Sequence, residues 1–356
     1  MSTSAEPTSL RSEPIRLQVL TNSRMATAKS CLRKCFYRYE LCLAKETEAR
    51  PLRFGSAAHK VRELVRKGVP VEQAINSACE GFAQDEDSQY DAWTVRALMT
   101  GWAWYWQEPT GSAIMSEVPW EMPLINPATG ALSRTWKLAG KIDGIDRLSD
   151  GRIAVSECKT TSEDISPESA YWLRLRADQQ IALYMLAAKT LGHDVQTVLY
   201  DVIRKPTIRP SLVPDLDANG LKIVIVDATG KRALNKNGSP RQTGGEGYTV
   251  KGHIETPQEF AERLLADIQE RPEYYYQRRE IPILDADLEE LRWELWQQGQ
   301  ALRAAQLHNR WYRSVGRMTC DYCDYSDICL QHLTVDPANP PSGYVIMQDP
   351  NPELSE

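Results

Sequence analysis

Hydrophobic and polar positions alternate most regularly over residues 138–159. Residues 152–159 repeat with a period of two, the mark of a half-buried strand. Asp150-Gly151 just before them suits the tight turn of a hairpin. Two neighbouring strands are therefore expected, one reaching Asp143 and the other carrying Glu157-Cys158-Lys159 near its end. Residues 116–124, 135–147 and 197–203 also read as strands, and 274–283 as extended chain. Helical spacing marks 27–45, a helix from His59 that stops at Gly68, most of 71–107, then 167–190, 257–268 and 285–307. In 27–45 one stripe holds Leu32, Cys35, Tyr39 and Cys42, opposite the basic Lys29, Arg33, Lys34 and Arg38. Strands enclosing a helix, with helices before and after, predict an α/β fold with a mixed central sheet flanked by helices.

Side chains two apart in a strand share a face. Glu157 and Lys159 therefore point together, and Asp143 on the adjoining strand can converge on them. Two carboxylates beside an ammonium suit a divalent metal, with a cation for the attacking water or a phosphate. An ordinary surface Glu–Lys pair has the same spacing, so the remaining motifs decide the matter. Gln180 and Tyr184 share a helical face. Gly230-Lys231 is no phosphate-binding P-loop, because Arg232 follows where Ser or Thr is needed.

With 356 residues and 42% hydrophobic, the chain can bury a substantial core. Its net charge of −6 argues against coating nucleic acid by bulk charge, although a local basic groove is compatible with it. No apolar run is long enough to cross a bilayer. The polar start lacks the apolar centre of a signal peptide, so a cytoplasmic location and no membrane partner are expected. In a reducing compartment the 8 cysteines read as metal ligands rather than disulfides. Cys320, Cys323 and Cys329 form a Cys-x2-Cys-x5-Cys run that lacks a nearby fourth ligand. Cys31 and Cys35, one helical turn apart, are the candidates to complete it. Four thiolates without a zinc pattern suit an iron–sulfur cluster that clips the two ends of the chain together.

In this order the motifs resemble the PD-(D/E)XK nuclease superfamily, in particular its RecB/AddB-type branch with an iron–sulfur clip, which includes CRISPR-associated exonucleases and phage-encoded relatives. The match runs over Gly55 to His59, Asp143 in a Gly-x-Ile-Asp setting, Glu157-Cys158-Lys159, and Gln180 with Tyr184. Cys35-Phe36-Tyr37-Arg38-Tyr39 best fits the family's Cys-Pro-x-x-Tyr, with Phe36 in place of proline, and Cys31 is the lesser possibility. The resemblance implies a restriction-endonuclease-like fold. It divides the chain into a leader (1–24), a nuclease domain (25–332) and a proline-rich tail (333–356). Within the domain lie a helical part (57–107), a catalytic core (114–203), a basic insertion (204–252) expected to be mobile, and C-terminal helices with the cysteines (256–332). His59, Asp143, Glu157 and the carbonyl of Cys158, with Glu117 through water, would hold Mg2+ or Mn2+. Lys159 would act on the water or phosphate, with Gln180 and Tyr184 bracing it or touching DNA. Cys35, Cys320, Cys323 and Cys329 would hold a [4Fe-4S] cluster. Arg204, Lys205, Arg209, Lys231 and Arg232 would follow the DNA backbone. The implied activity is an exonuclease on single-stranded or processed DNA ends in recombination, repair or replication. Its partners would be a recombinase, helicase or single-strand-binding protein in a bacterium or its phage. The alternative is a catalytically weak DNA-holding module in a recombination or integration complex.

Overall fold

The computed structural model describes residues 17–46, 50–82, 85–107 and 111–354. Residues 1–16 of the expected leader lie outside them. The rest of that leader is built into the fold. Strand β1 (Gln18–Leu20) leads through Thr21, whose side chain accepts from Arg24 N, into helix α1 (Asn22–Ser30). The single helix expected over 27–45 is broken. Cys31 is extended, α2 (Leu32–Cys35) restarts after it, and Phe36–Glu40 is a widened π-turn. Cys42 takes a left-handed φ of 53°, and Leu43–Lys45 forms β2. Three helices follow: α3 (Arg50–Arg66), α4 (Val71–Cys79) and α5 (Glu86–Tyr105).

Next come β3 (Gly111–Ile125), β4 (Leu132–Leu148) and β5 (Ile153–Thr161), the last two joined through Gly151 at φ 90°. The helix expected over 167–190 is two: α6 (Ala170–Arg176) and α7 (Gln179–Thr190), with Asp178 capping the second. After β6 (Val195–Arg204), the basic insertion is folded rather than loose. It contains β7 (Leu212–Pro214), β8 (Val224–Val226), β9 (Tyr248–Val250) and β10 (Gly252–Ile254), paired as β7–β10 and β8–β9. A capping box of Thr256 and Glu259 opens α8 (Pro257–Glu270). The chain ends with α9 (Pro272–Tyr275), β11 (Tyr276–Ile281), α10 (Asp285–His308), α11 (Arg317–Asp321), α12 (Ser326–Leu330) and β12 (Tyr344–Ile346). The expected tail is thus tied down: β12 pairs with β2, and Tyr344 stacks on Tyr325.

The central sheet has 6 strands in the order β1-β4-β5-β6-β11, with β3 on β4. It is mixed: β1–β4 and β5–β6 are parallel, while β3–β4, β4–β5 and β6–β11 are antiparallel. Its two faces bury separate cores. One core gathers Leu138, Val155, Ile181, Tyr184 and Leu295 under α7 and α10, where Trp136 Nε1 donates to Gly299 O at 2.9 Å. The other packs Cys158, Ile203 and Tyr276 under α3, α5 and α8.

In the second core Gly101 lets α5 lie against the Tyr276 ring. A Cβ there would stand 2.6 Å from Ile268 Cγ2 and 2.7 Å from the Tyr276 hydroxyl. Gly101→Val should therefore destabilise the protein by about 3 kcal/mol through overpacking. The urea midpoint checks this, and an unchanged midpoint would mean that α5 shifts freely.

Candidate active site

The register of β4 creates the site. β3 pairs with it along one edge from Leu132 to Leu148. The other edge is shared: β1 takes Trp136–Leu138 and β5 takes Gly144–Arg147. Between Leu138 and Gly144 this edge has no strand partner, and β5 diverges from it. The fork opens into a cleft of ≈ 870 Å³ lined by Gly140, Asp143, His59, Gln180 and Tyr184, among others.

Asp143 sits where the strands part. Its Oδ2 accepts from Cys158 N at 3.1 Å and lies 3.3 Å from His59 Nδ1. Arg62, one helical turn beyond His59 on α3, bridges Asp143 (3.8 Å) and Asp201 on β6 (3.7 Å). Asp201 also pairs with Arg278 at 2.9 Å and accepts from Trp102 Nε1 at 3.1 Å. Burial opposes an ionised Asp143, but the His59 hydrogen bond and the charges of His59 and Arg62 outweigh it and hold the pKa down at about 2. Burial alone would lower the His59 pKa, but Asp143 raises it.

Glu157 is 1% exposed. Its Oε1 lies 2.9 Å from Lys159 Nζ, while its Oε2 is buried without a hydrogen-bond partner. Burial first, and then repulsion from Asp143, push its pKa up to about 7 against the pull of Lys159. Burial opposes the charge on Lys159, yet Glu157 and Asp178 keep its pKa raised. Gln180 Oε1 accepts from Lys159 at 2.6 Å, and Gln180 Nε2 donates to the Tyr184 hydroxyl at 3.0 Å.

Two hard carboxylates, one with an orphaned buried oxygen, form a donor set that suits a divalent cation. Among the described residues, however, no three His, Cys, Asp or Glu side chains stand together as a ready metal cage. Glu117 lines the cleft, but its carboxylate is occupied by Lys141 at 2.9 Å. Of the basic candidates, Lys205 lines the cleft and, with Arg209, an adjoining cavity. Arg204 pairs with Asp164 at 3.2 Å and lies over Tyr274. Lys231 and Arg232 sit out on the folded insertion, where Arg232 pairs with Asp217 at 2.7 Å.

The candidate cluster cysteines divide between a cavity and the core. Cys31 lines a small cavity of ≈ 30 Å³ with Cys320, Cys323 and Cys329. Cys35 is fully buried in the first core, with its pKa raised to about 12, chiefly by burial. Cys31, extended between α1 and α2, and Cys35, at the end of α2, are therefore not one turn apart on an unbroken helix. Donors face the cavity sulfurs: Ser314 N approaches Cys31 Sγ at 3.4 Å, and Arg313 Nε approaches Cys329 Sγ at 3.3 Å.

Sequence reasoning missed Arg62, Asp201 and Asp178. Arg62 was within reach, because it lies three residues from His59 on one helical face. Asp201 is joined to the site only through tertiary pairing.

A mixed sheet with carboxylates and a lysine gathered at an open fork defines a nuclease-type α/β protein. The family model of the PD-(D/E)XK nuclease superfamily matches residues 19–330, and the chain belongs to that superfamily. No curated protein matches the chain. A solved structure titled "Crystal structure of SSO0001" is similar at 14% identity and a TM-score of 0.35, covering 89% of this chain and 87% of that one.

The raised Glu157 pKa has a signed consequence. Below its usual 4.5 the carboxyl is protonated in both folded and unfolded chains. From there to about 7 the unfolded chain ionises first, so native stability falls as pH rises. Asp143 acts the opposite way: its contribution is present above its usual 3.8 and is lost as pH falls towards about 2. In EDTA, Glu157→Gln should gain stability over wild type as pH rises from about 5 to about 7, by up to about 1.4 kcal/mol per pH unit. Melting temperatures across that range check it, and a constant difference would mean an ordinary Glu157 pKa.

Proposed function

We propose that the protein is a metal-dependent DNA nuclease that acts as an exonuclease on single-stranded or processed ends. The observation that carries this reading is the orphaned, buried Oε2 of Glu157 beside Asp143 and Lys159, in a chain of this superfamily. Asp143, Glu157 and the Cys158 carbonyl would hold Mg2+ or Mn2+, with His59 beside them. When bound, such an ion polarises a phosphodiester and lowers the pKa of water. His59 and Arg62 keep Asp143 ionised and ready for a cation. Lys159 stays protonated and offers N–H donors to charge developing on the phosphoryl oxygens. Gln180 fixes the Lys159 ammonium, and Tyr184 in turn fixes Gln180. Lys205 and Arg209 extend the cleft along the DNA backbone.

Cys31, Cys320, Cys323 and Cys329 are proposed as ligands of a [4Fe-4S] cluster. The supporting features are their shared cavity and the N–H donors that approach two of the sulfurs, those of Cys31 and Cys329. A role in recombination, repair or replication, alongside a recombinase, helicase or single-strand-binding protein, follows from that activity.

The first test uses anaerobically purified protein and linear DNA labelled at either end, with Mn2+, Mg2+ or EDTA. Shortening from one end is expected with metal only, and Glu157→Ala and Lys159→Ala should each lose at least about a hundredfold of the rate. Cleavage at wild-type rate by Glu157→Ala would remove the site assignment. Endonucleolytic fragments would remove the exonuclease mode alone. A second test measures iron and sulfide. Cys31→Ala should lose both and Cys35→Ala should keep them, and the reverse result would return the assignment to Cys35.

A further inference from the structure

The β1 end of the cleft, opposite the point where β4 and β5 part, holds polar groups that the reaction does not use. β1 ends there and α1 begins, so Thr21, Asn22 and Ser23 line the cleft. In the first turn of a helix the N–H groups have no intrahelical acceptor. Thr21 satisfies Arg24 N, whereas those of Asn22 and Ser23 face the start of the helix with no acidic side chain in that turn. On the same face of the sheet, Trp120 is only 4% exposed and lies edge-on to Tyr184. Its indole is pressed onto Gly140, where a Cβ would stand 2.7 Å from Trp120 Cζ2. Trp120 lines the cleft, and its Nε1 is buried without an acceptor. A buried orphan donor costs about 1–3 kcal/mol, so its retention beside a helix amino end points to an anionic ligand. Each carboxylate that lines the cleft has a cationic partner: Glu117 is paired with Lys141, Glu63 with Lys60 and Lys67, and the ionised Asp143 with His59 and Arg62.

Resting on the nuclease reading, we propose that this end of the fork is a subsite for a second phosphate of the nucleic-acid strand. Asn22 N–H, Ser23 N–H and Trp120 Nε1–H are its donors. The phosphate is either an internal phosphodiester next to the scissile one or a terminal phosphomonoester. Both present the same oxygens to the same donors. Occupation of the subsite fixes the strand's register relative to Asp143 and Glu157.

The test is binding of a labelled single-stranded oligonucleotide to the full chain in EDTA, read by anisotropy. Two variants each remove one donor. Trp120→Phe keeps the ring over Gly140. Asn22→Pro suits the first position of a helix and the extended Thr21 before it. Each should raise Kd about tenfold with no fall in melting temperature. The Trp120 indole 1H–15N resonance, assigned by its loss in Trp120→Phe, should move during the titration. A resonance that stays fixed at the highest oligonucleotide concentration, or wild-type affinity in both variants, would overturn the proposal.

Two substrate arms identify the source. If removing the terminal phosphate abolishes the Trp120 effect, the ligand is a monoester. If one internal methylphosphonate abolishes it, the ligand is a diester. Insensitivity to both overturns the subsite. Glu157-dependent cleavage without any Trp120 effect would defeat this inference alone. Trp120-dependent binding without cleavage would defeat the nuclease reading alone.

Discussion

Strand β4 has more edge than any one partner covers, and the site depends on that. β3 occupies one side for its full length, while β1 and β5 divide the other and leave residues between Leu138 and Gly144 without a strand. Unpaired backbone in a sheet is costly unless it meets water or ligand. The fork is therefore wet by construction and stays open because its two flanking strands are anchored in different ways. β5 is held in the middle of the sheet by β6, and β1 is held by the helix that follows it. A cleft arises without any loop having to form it, and the groups on its walls come from strand and helix backbones that are packed on both sides.

That rigidity is what makes the buried charges tolerable. Glu157 has almost no exposure, yet it faces another carboxylate across the fork. A buried ion without compensation would cost several kcal/mol, so the molecule surrounds the pair with cations. Lys159 serves one carboxylate directly. The other is served by His59 and Arg62, and Arg62 is itself balanced by Asp201, which Arg278 and Trp102 hold in turn. The result is asymmetric: Asp143 is held ionised while Glu157 is pushed towards neutrality. Removing Arg62 would leave Asp143 and Asp201 facing one another across the β5 edge, which is why a residue with no direct place in the cleft is tied to its electrostatics.

Much of this was legible in the chain. The β4–β5 hairpin announces itself through alternation and Asp150-Gly151, and strand geometry alone puts Glu157 and Lys159 on one face. Gln180 and Tyr184 follow from helical spacing. The misreadings share a cause. Residues 27–45 have good helical periodicity, but the extended Cys31 and the left-handed Cys42 cut the helix, and β12 recruits Leu43–Lys45 from 300 residues away in sequence. With the helix broken at Cys31, that residue lines the cavity while Cys35 lies in the first core. β1, β12 and the strands of the insertion are each three residues long, too short to give a periodic signal before their partners are known. Asp201 lies in a strand whose neighbours are nearly all buried, and nothing local distinguishes it from a satisfied core carboxylate.

The same short helix joins the two ends of the functional architecture. α1 starts at the β1 end of the cleft and stops at Cys31, beside Cys320, Cys323 and Cys329. Its 9 residues span about 14 Å at the usual rise per residue. α1 also leans on α7 through Lys29 and Gln179 at 2.7 Å, and α7 carries Gln180 and Tyr184. α1 thus spans the distance between the cavity thiols and the cleft, and its contact with α7 joins it to the helix that carries Gln180 and Tyr184.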